Sequence, residues 1–221
     1  MSLAKWERYL AAIDSRLGLL RDREQVGPDE EVYTYLVLLE LRDIVKNAVS
    51  EELDGEGPFY VRHADDHWEH CLAGEDGEVK GVIDWEWAYT TSKEEAFSAP
   101  DTLLPPGLAK TDDDSTLSHR EEALVAAYGS LGRPDLADCI KGGRRYSRLM
   151  SSLRHNWASV EDLRAIRKGF GIEVGQKYPM RESKEDWMGR MTLKYKDDEG
   201  LKCFLDNPVS EPQLPEGYRE V

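Results

Sequence analysis

Acidic and imidazole side chains crowd into one stretch of the chain, residues 59–89. Three of the five histidines, His63, His67 and His70, lie there together with Asp65. Imidazole and carboxylate groups bind metal ions and transfer protons. A metal-dependent hydrolase that uses these four residues as ligands is therefore one hypothesis. It has little support in the pattern, because neither H-E-x-x-H nor H-x-E combined with C-x-x-C is present.

A hairpin is predicted to position these side chains. Residues 59–62 favour a β-strand, and His70–Ala73 and Glu78–Trp85 are predicted to pair around the turn sequence GEDG. The segment between the first strand and the hairpin, HADDHWEH, is too polar for a buried strand and too short for a stable helix. We therefore expect a loop that presents acids from a sheet. The hairpin would bring Asp84, at its far end, close to Asp65 in this loop.

The same residues follow a longer pattern, H-G-D-x-H-x-x-N with I-D-W/F-E further along the chain. Here the first part reads HADDHWEH from His63 to His70, and the second reads IDWE from Ile83 to Glu86. In this pattern the chain resembles the aminoglycoside phosphotransferase and choline kinase family. The continuation IDWEWAY, followed by AFSAP at Ala96–Pro100, is similar to an uncharacterised fungal branch of that family.

The resemblance implies a chemistry. Phosphoryl transfer needs a carboxylate that receives the substrate hydroxyl proton and oxygen ligands that hold Mg²⁺ against the nucleotide phosphates. By resemblance Asp65 is the catalytic carboxylate, Asp84 is a magnesium ligand, and His63 supports the loop without reacting. The implied cofactors are Mg²⁺ and ATP, and the implied reaction is phosphorylation of a small-molecule hydroxyl.

One position departs from the family pattern. The family has an Asn as its second magnesium ligand, and the matching residue here is His70. Imidazole suits zinc and other transition metals better than magnesium, which prefers oxygen. Two alternatives follow: a subfamily variation in which Asp84 holds most of the ion, or a degraded metal site.

Composition narrows the range of partners. The net charge of -15 argues against nucleic acid and anionic membranes and is compatible with a small cationic or hydroxylated substrate. A long loop after the hairpin, residues 90–114, would build the substrate pocket, lined by Glu94, Glu95 and Asp101. Glu86, before this loop, is a further candidate contact. Three widely spaced cysteines without C-x-x-C, no apolar leader and no membrane-length apolar run predict a cytoplasmic protein.

Helices are predicted on both sides of this stretch. Within residues 3–20, apolar side chains recur at the spacing of a helix. A second, more apolar helix is predicted over Val32–Val49, with Asp29 as its N-cap. Further helices are predicted at 118–131, 135–156, 160–170 and 183–205, with capping boxes at Ser118 and Ser183. The basic cluster Lys141, Arg144, Arg145 and Arg148 is interpreted as the solvent face of a helix.

These elements predict a mainly helical α+β fold, the C-terminal lobe of a protein-kinase-like fold. We expect one domain over residues 1–207, with two leading helices in 1–50, the catalytic loop and hairpin in 59–89, helical bulk in 118–205 and a loose tail in 208–221. No glycine-rich strand meander precedes the loop, so the N-terminal lobe is expected to be absent or supplied by a partner protein. Without it catalysis is in doubt, and the alternative function is a non-catalytic, pseudokinase-like binding protein.

Overall fold

The computed structural model describes residues 6–22, 31–50, 57–63, 65, 68–105, 108, 116–155, 158–172 and 182–206. Most of these residues are helical, and the strands among them form two short antiparallel pairs. The predicted mainly helical α+β class is confirmed. No helix among the described residues is both long enough and apolar enough to cross a membrane.

Two helices lead into the candidate site. Helix α1 spans Glu7–Arg21 and buries Tyr9, Ile13, Leu17 and Leu20, the face that its apolar spacing predicts. Helix α2 spans Glu31–Ile44, continues as a π-helical turn over Val45–Val49, and is buried along almost its whole length. The predicted N-cap of α2, Asp29, lies outside the described residues.

The strands lie between the helices and form the predicted hairpin. Strand β2 (Cys71–Ala73) pairs with β3 (Val79–Val82), and Cys71 lies opposite Val82. The predicted turn closes this hairpin, with Gly77 at a φ of 78°, which glycine adopts without strain. Both strands are shorter than predicted, because Trp85 begins a 3₁₀ turn, Trp85–Trp87.

A second strand pair ties the start of the catalytic loop to the end of the hairpin. Strand β1 (Tyr60–Arg62) pairs antiparallel with β4 (Tyr89–Thr91), so that Arg62 lies opposite Tyr89. The sequence does not predict β4, because three residues are too few to show an alternating pattern. The pairing closes the whole loop and hairpin into one unit.

Short helices and then the helical bulk follow. Residues 93–96 form α3 (Lys93–Ala96), and a 3₁₀ turn covers Asp101–Leu103, so no long element lies among the described residues of 90–114. The bulk consists of α4 (His119–Ser130), α5 (Pro134–Gly142), α6 (Arg144–His155), α7 (Val160–Gly169), α8 (Lys184–Lys194) and α9 (Glu199–Asp206).

Two of the predicted helices are wrong in length, because each is divided in two. The helix predicted over 135–156 breaks at Gly143, and the one predicted over 183–205 ends at Lys194. Asp198 explains the second break, since its side chain accepts a hydrogen bond from the Leu201 N–H at 3.0 Å and so caps α9. The predicted tail, residues 208–221, lies outside the described residues.

Capping confirms one predicted helix start in full and the other in part. Ser118 and Glu121 form the reciprocal capping box of α4. At α8 the Ser183 side chain accepts from the Asp186 N–H, but the Asp186 carboxylate accepts from the Ser183 hydroxyl instead of from its backbone. Both residues still begin the helix where the sequence predicts.

One cluster of buried side chains extends through α1, α2 and α6 to α9. Its largest member, Trp187 of α8, is fully buried and donates from Nε1 to Glu40 of α2 at 2.8 Å. The other carboxylate oxygen of Glu40 accepts from Arg167 of α7 at 2.5 Å. The buried charge of Glu40 is therefore paired, as burial requires.

The basic cluster on α5 and α6 is a solvent face only in part, because Lys141 is exposed as predicted but two of the arginines are buried. Arg144 and Arg148 are 4% and 2% exposed. Arg144 donates two hydrogen bonds to the buried carboxylate of Glu121, at 2.9 and 2.6 Å. Charge alone suggested an outward face, but a buried carboxylate on α4 draws Arg144 inward.

Candidate functional site

Asp65, His70 and Asp84 converge on one point at the end of the hairpin. One ligand atom from each lies within 4.8 Å of the others. His70 Nε2 lies 3.8 Å from Asp65 Oδ2 and 3.3 Å from Asp84 Oδ2. The structure thus brings together the three residues that the sequence singles out as catalytic and metal-binding, on a partly exposed surface that a cation can reach.

The ring of His70 is held from its other side. Its Nδ1 lies 2.7 Å from the backbone carbonyl oxygen of Asp65. A carbonyl oxygen only accepts, so Nδ1 carries the proton and Nε2 points at the two carboxylates. Metal-ligating histidines show the same arrangement, in which the outer ring nitrogen donates to a carbonyl and fixes the tautomer.

The electrostatics at His70 favour a positive charge. The hydrogen bond to the Asp65 carbonyl raises the pKa of His70 above its ordinary value, and the charges of Asp65 and Asp84 act in the same direction. The ring is therefore a partner for the two acids when it is protonated. When it is neutral, Nε2 is a ligand atom, so proton and metal ion compete for the same position.

His63 connects the catalytic loop to the hairpin end. Its Nε2 lies 2.9 Å from the carbonyl oxygen of Ile83, the residue before Asp84. Its ring packs edge-on against Trp85, with centroids 4.8 Å apart. His63 therefore touches the backbone that positions Asp84, while its supporting role remains a prediction. His67, a ligand in the hydrolase hypothesis, lies outside the described residues.

Asp84 has an unusual backbone. Its φ of 67° and ψ of 46° lie in the left-handed region. Among the described residues other than glycine, Asp84 alone has a positive φ. Asp tolerates this region better than most residues, but at a cost in free energy. Such strain clusters at functional sites, where the surrounding structure imposes it. Here the imposing contacts come from β3, the 3₁₀ turn and His63.

Asp65 also borders an open cavity of about 610 Å³, within the size range of small-molecule sites. Its other described lining residues come from α1, from the segment after the hairpin and from α6: Arg8, Tyr9, Ala12, Arg16, Trp87, Tyr89, Met150, Leu153 and Arg154. Among the described lining residues, Asp65 alone has a carboxylate side chain. It therefore borders the cavity, whereas Asp84 and His70 are not among its described lining residues.

A buried carboxylate organises one wall of this cavity. Glu95 is 1% exposed and pairs with Arg8, whose guanidinium lies between the rings of Tyr9 and Tyr89, 4.1 and 4.2 Å from their centroids. The Tyr89 hydroxyl donates to Glu95 at 2.8 Å, and the Thr91 hydroxyl also donates. Burial by itself would raise the pKa of Glu95, but Arg8 and the Thr91 hydroxyl hold it below its ordinary value. The charge of Arg8 is thus neutralised within the protein.

Of the candidate substrate contacts, Glu95 is buried against Arg8, and Glu86, Glu94 and Asp101 lie elsewhere. Glu86 and Glu94 are exposed, and neither lines the cavity. Asp101 lies 3.3 Å from Arg154 and reaches the cavity wall only through that residue. Their proposed contact with substrate therefore remains a prediction with no geometric support among the described residues.

The arginines of α1 are what sequence reasoning missed. Arg8, Ala12 and Arg16 recur every four residues and share one face of the helix, beside its apolar face. This spacing in the sequence indicates a second face of the helix that carries arginines. Nothing local, however, indicates that this face meets the catalytic loop.

Comparison with known proteins gives one partial similarity. Over 117 residues, 52% of this chain, the sequence is 30% identical to "NADPH-dependent diflavin oxidoreductase 1" of Arabidopsis thaliana, and the chain covers 17% of that protein. No family model matches the chain. No solved structure matches it.

Proposed function

We propose that this chain provides the phosphoryl-transfer site of a small-molecule kinase, built on the C-terminal lobe of an aminoglycoside phosphotransferase-like fold. The observation that carries the proposal is the meeting of Asp65, His70 and Asp84 at the border of a ligand-sized cavity. Positioning and charge stabilisation account for most of the rate in this reaction, so two acids held together beside a substrate cavity are its essential parts.

The two acids have different surroundings, which supports different roles. Asp65 lines the cavity, where its carboxylate can accept the proton of a bound hydroxyl. Asp84 does not line it and lies against His70. We therefore assign the base to Asp65 and the cation ligand to Asp84, with His70 beside it. Bound Mg²⁺ would supply neutralisation of the phosphate charge.

A second candidate, the non-catalytic binding protein, is favoured by a separate observation. Eight of the eleven large apolar side chains that are exposed in the described residues lie between Phe59 and Trp87. Exposed apolar side chains concentrated in one segment favour an interaction site. It would be covered by a nucleotide-binding lobe in the kinase proposal, or by a partner protein in this one.

Calorimetric titration of ATP, with and without Mg²⁺, tests the proposal. We expect weak binding that requires Mg²⁺, because the described elements before strand β1 are helical and offer no strand pair to cover the phosphates. Asp84→Asn should abolish this binding. Asp65→Asn should retain it, and should abolish any transfer seen when a nucleotide-binding lobe is added.

Asp138→Asn is the matched control, since Asp138 is exposed on α5 and pairs only with its neighbour Lys141 in the described structure. Absence of Mg²⁺-dependent binding, or binding that survives Asp84→Asn, would contradict the proposal and favour the non-catalytic candidate. NADPH and FMN belong in the same titration because of the plant protein's name. A clear preference for either over ATP would replace the proposal with an oxidoreductase assignment.

A further inference from the structure

We infer that the cavity beside Asp65 takes a carboxylate-bearing substrate with an aromatic or apolar body, and that Arg16 binds its carboxylate. The inference rests on the proposed function for the role of Asp65 as the residue that meets the substrate hydroxyl. It concerns the class of substrate, which the proposed function leaves open.

Arg16 is a cation without a counter-charge. Among the described residues it has no hydrogen-bonding, ionic or aromatic partner, and its Nη1 is fully buried and unsatisfied. Burial lowers the pKa of its guanidinium, but arginine stays protonated at neutral pH. A buried donor that stays unpaired costs free energy, and Arg16 also lines the cavity, where a carboxylate can accept charge-assisted hydrogen bonds from its guanidinium.

The other two arginines of the cavity are already balanced. Arg8 pairs with buried Glu95, and Arg154 lies 3.3 Å from Asp101. Asp65 lies 3.8 Å from His70, so Arg16 is the charged residue of the described lining that has no counter-charge. This lining favours a ligand with a hydroxyl at one end and a single anionic group at the other.

The rest of the lining is suited to an apolar body. Ala12, Met150 and Leu153 provide aliphatic surface, and three aromatic rings, of Tyr9, Trp87 and Tyr89, complete it. Trp87 is 64% exposed although it borders the cavity, so a ligand ring stacked on it would bury apolar area. Such walls bind flat or hydrocarbon groups and offer few partners to a polyhydroxylated sugar.

The local charge differs from that of the whole chain. A net charge of -15 suggests cationic ligands, but that charge is spread over the surface. In the cavity a polycation would meet the unpaired guanidinium of Arg16, and like charges brought together at a desolvated site repel strongly. We therefore expect polycationic amines to bind worse here than carboxylates.

Three probes of the same shape test the inference: 4-(hydroxymethyl)benzoate, the neutral 4-methylbenzyl alcohol, and 4-(hydroxymethyl)benzylamine. Binding to the whole chain is measured by ligand-detected NMR at millimolar concentration, without metal or nucleotide. The benzoate should bind best and the amine worst. Arg16→Gln should weaken the benzoate about tenfold, as expected for the loss of a charged hydrogen bond, and leave the neutral alcohol unchanged.

Three further variants separate the charge of Arg16 from apolar contact and from surface charge in general. Arg16→Lys keeps the charge and should lose less affinity than Arg16→Gln. Arg120→Gln, on the exposed start of α4, should change nothing. Trp87→Ala should weaken the benzoate and the neutral alcohol alike, because it removes apolar contact only. Far-ultraviolet circular dichroism verifies that each variant is folded.

The inference is overturned by binding of all three probes alike, by preference for the amine, by no binding of any probe, or by indifference to Arg16→Gln. Its failure is separate from that of the proposed function, because these titrations contain no ATP or Mg²⁺. A carboxylate preference without Mg²⁺-dependent ATP binding counts against the kinase proposal alone. The reverse result counts against the substrate class alone.

Discussion

Nε2 of His70 lies 3.3 Å from Oδ2 of Asp84, and the register of the hairpin explains why. Cys71 pairs with Val82, and the Ile83 N–H donates to the His70 carbonyl at 2.9 Å. In this register His70 lies opposite Ile83 in the last bonded pair, and Asp84 is the next residue, where a left-handed backbone turns the chain. A slip by one residue would turn one of the two side chains to the opposite face.

The identity of the metal ion can be decided at His70. If the site serves Mg²⁺, the ion is held by Asp84, water and phosphate oxygens, since imidazole is a poor ligand for a hard cation. His70→Asn supplies the oxygen ligand of the aminoglycoside phosphotransferase pattern and should raise Mg²⁺ affinity, whereas Asp84→Asn should abolish it. Calorimetric titration of Mg²⁺ and Zn²⁺ into wild type, His70→Asn and Asp84→Asn measures these affinities.

The expected effect of His70→Asn on metal affinity reverses if the site binds zinc. His70→Asn would then weaken binding, and wild type would prefer zinc to magnesium strongly. Tight zinc binding that is lost in His70→Asn would contradict the kinase-like assignment of this loop and support the hydrolase hypothesis.

The protonation of His70 gives a second prediction. Because the Asp65 carbonyl and the two carboxylates raise its pKa, we expect a value above the ordinary one of about 6.5. The protonated ring stabilises the fold fully below that ordinary pKa, and this contribution is lost as pH rises through the raised, folded-state pKa. Proton NMR titration of the imidazole resonance, assigned with His70→Asn, measures the pKa.

Asp84→Asn is the informative variant in that titration. It removes one of the two charges and retains the Asp65 carbonyl, so the pKa of His70 should fall but stay raised. A pKa at or below its ordinary value in wild type would show that the ring does not hold the observed position in solution.

The left-handed backbone of Asp84 gives a third prediction. Glycine adopts this conformation without strain, whereas alanine does not. Asp84→Gly should therefore be more stable than Asp84→Ala by about 1 kcal/mol in free energy of unfolding, although both lose the carboxylate. Urea denaturation measures the difference. Equal stability of the two variants would mean that the backbone relaxes to negative φ.

The buried pair of Glu121 and Arg144 gives a fourth prediction. Glu121→Gln leaves Arg144 buried without its carboxylate, and we expect a loss of about 3–5 kcal/mol in free energy of unfolding. Glu122→Gln, one residue along on the exposed face of α4, is the control and should change stability by less than about 0.5 kcal/mol. A small effect at Glu121 would place Arg144 in solvent, as its sequence suggested.

The same pair predicts a response to acid. Burial opposes ionisation of Glu121, but the hydrogen bonds from Arg144 and from the Ser118 N–H lower its pKa below the ordinary value. Its contribution is therefore present above that ordinary pKa and is lost as pH falls through the lower, folded-state pKa. The difference in unfolding free energy between wild type and Glu121→Gln should shrink over this acidic range.

Much of the candidate site could be predicted from the sequence, because its parts are local. The turn GEDG and the short strands on either side define the hairpin, and the hairpin register places His70 opposite Ile83, the residue before Asp84. The helical faces of α1 and the caps of α4 and α8 follow from spacing and side-chain chemistry within a few residues. Such features need only neighbours along the chain.

Tertiary structure alone decided the rest. The pairing of β1 with β4, the burial of Arg144 against Glu121, and the approach of Arg8 and Arg16 to the catalytic loop join residues far apart in sequence. No local pattern indicates which charged side chain will meet a buried partner, because that depends on which helices pack together. The sequence by itself therefore determined the candidate acids and their spacing, and packing determined the cavity that Asp65 borders.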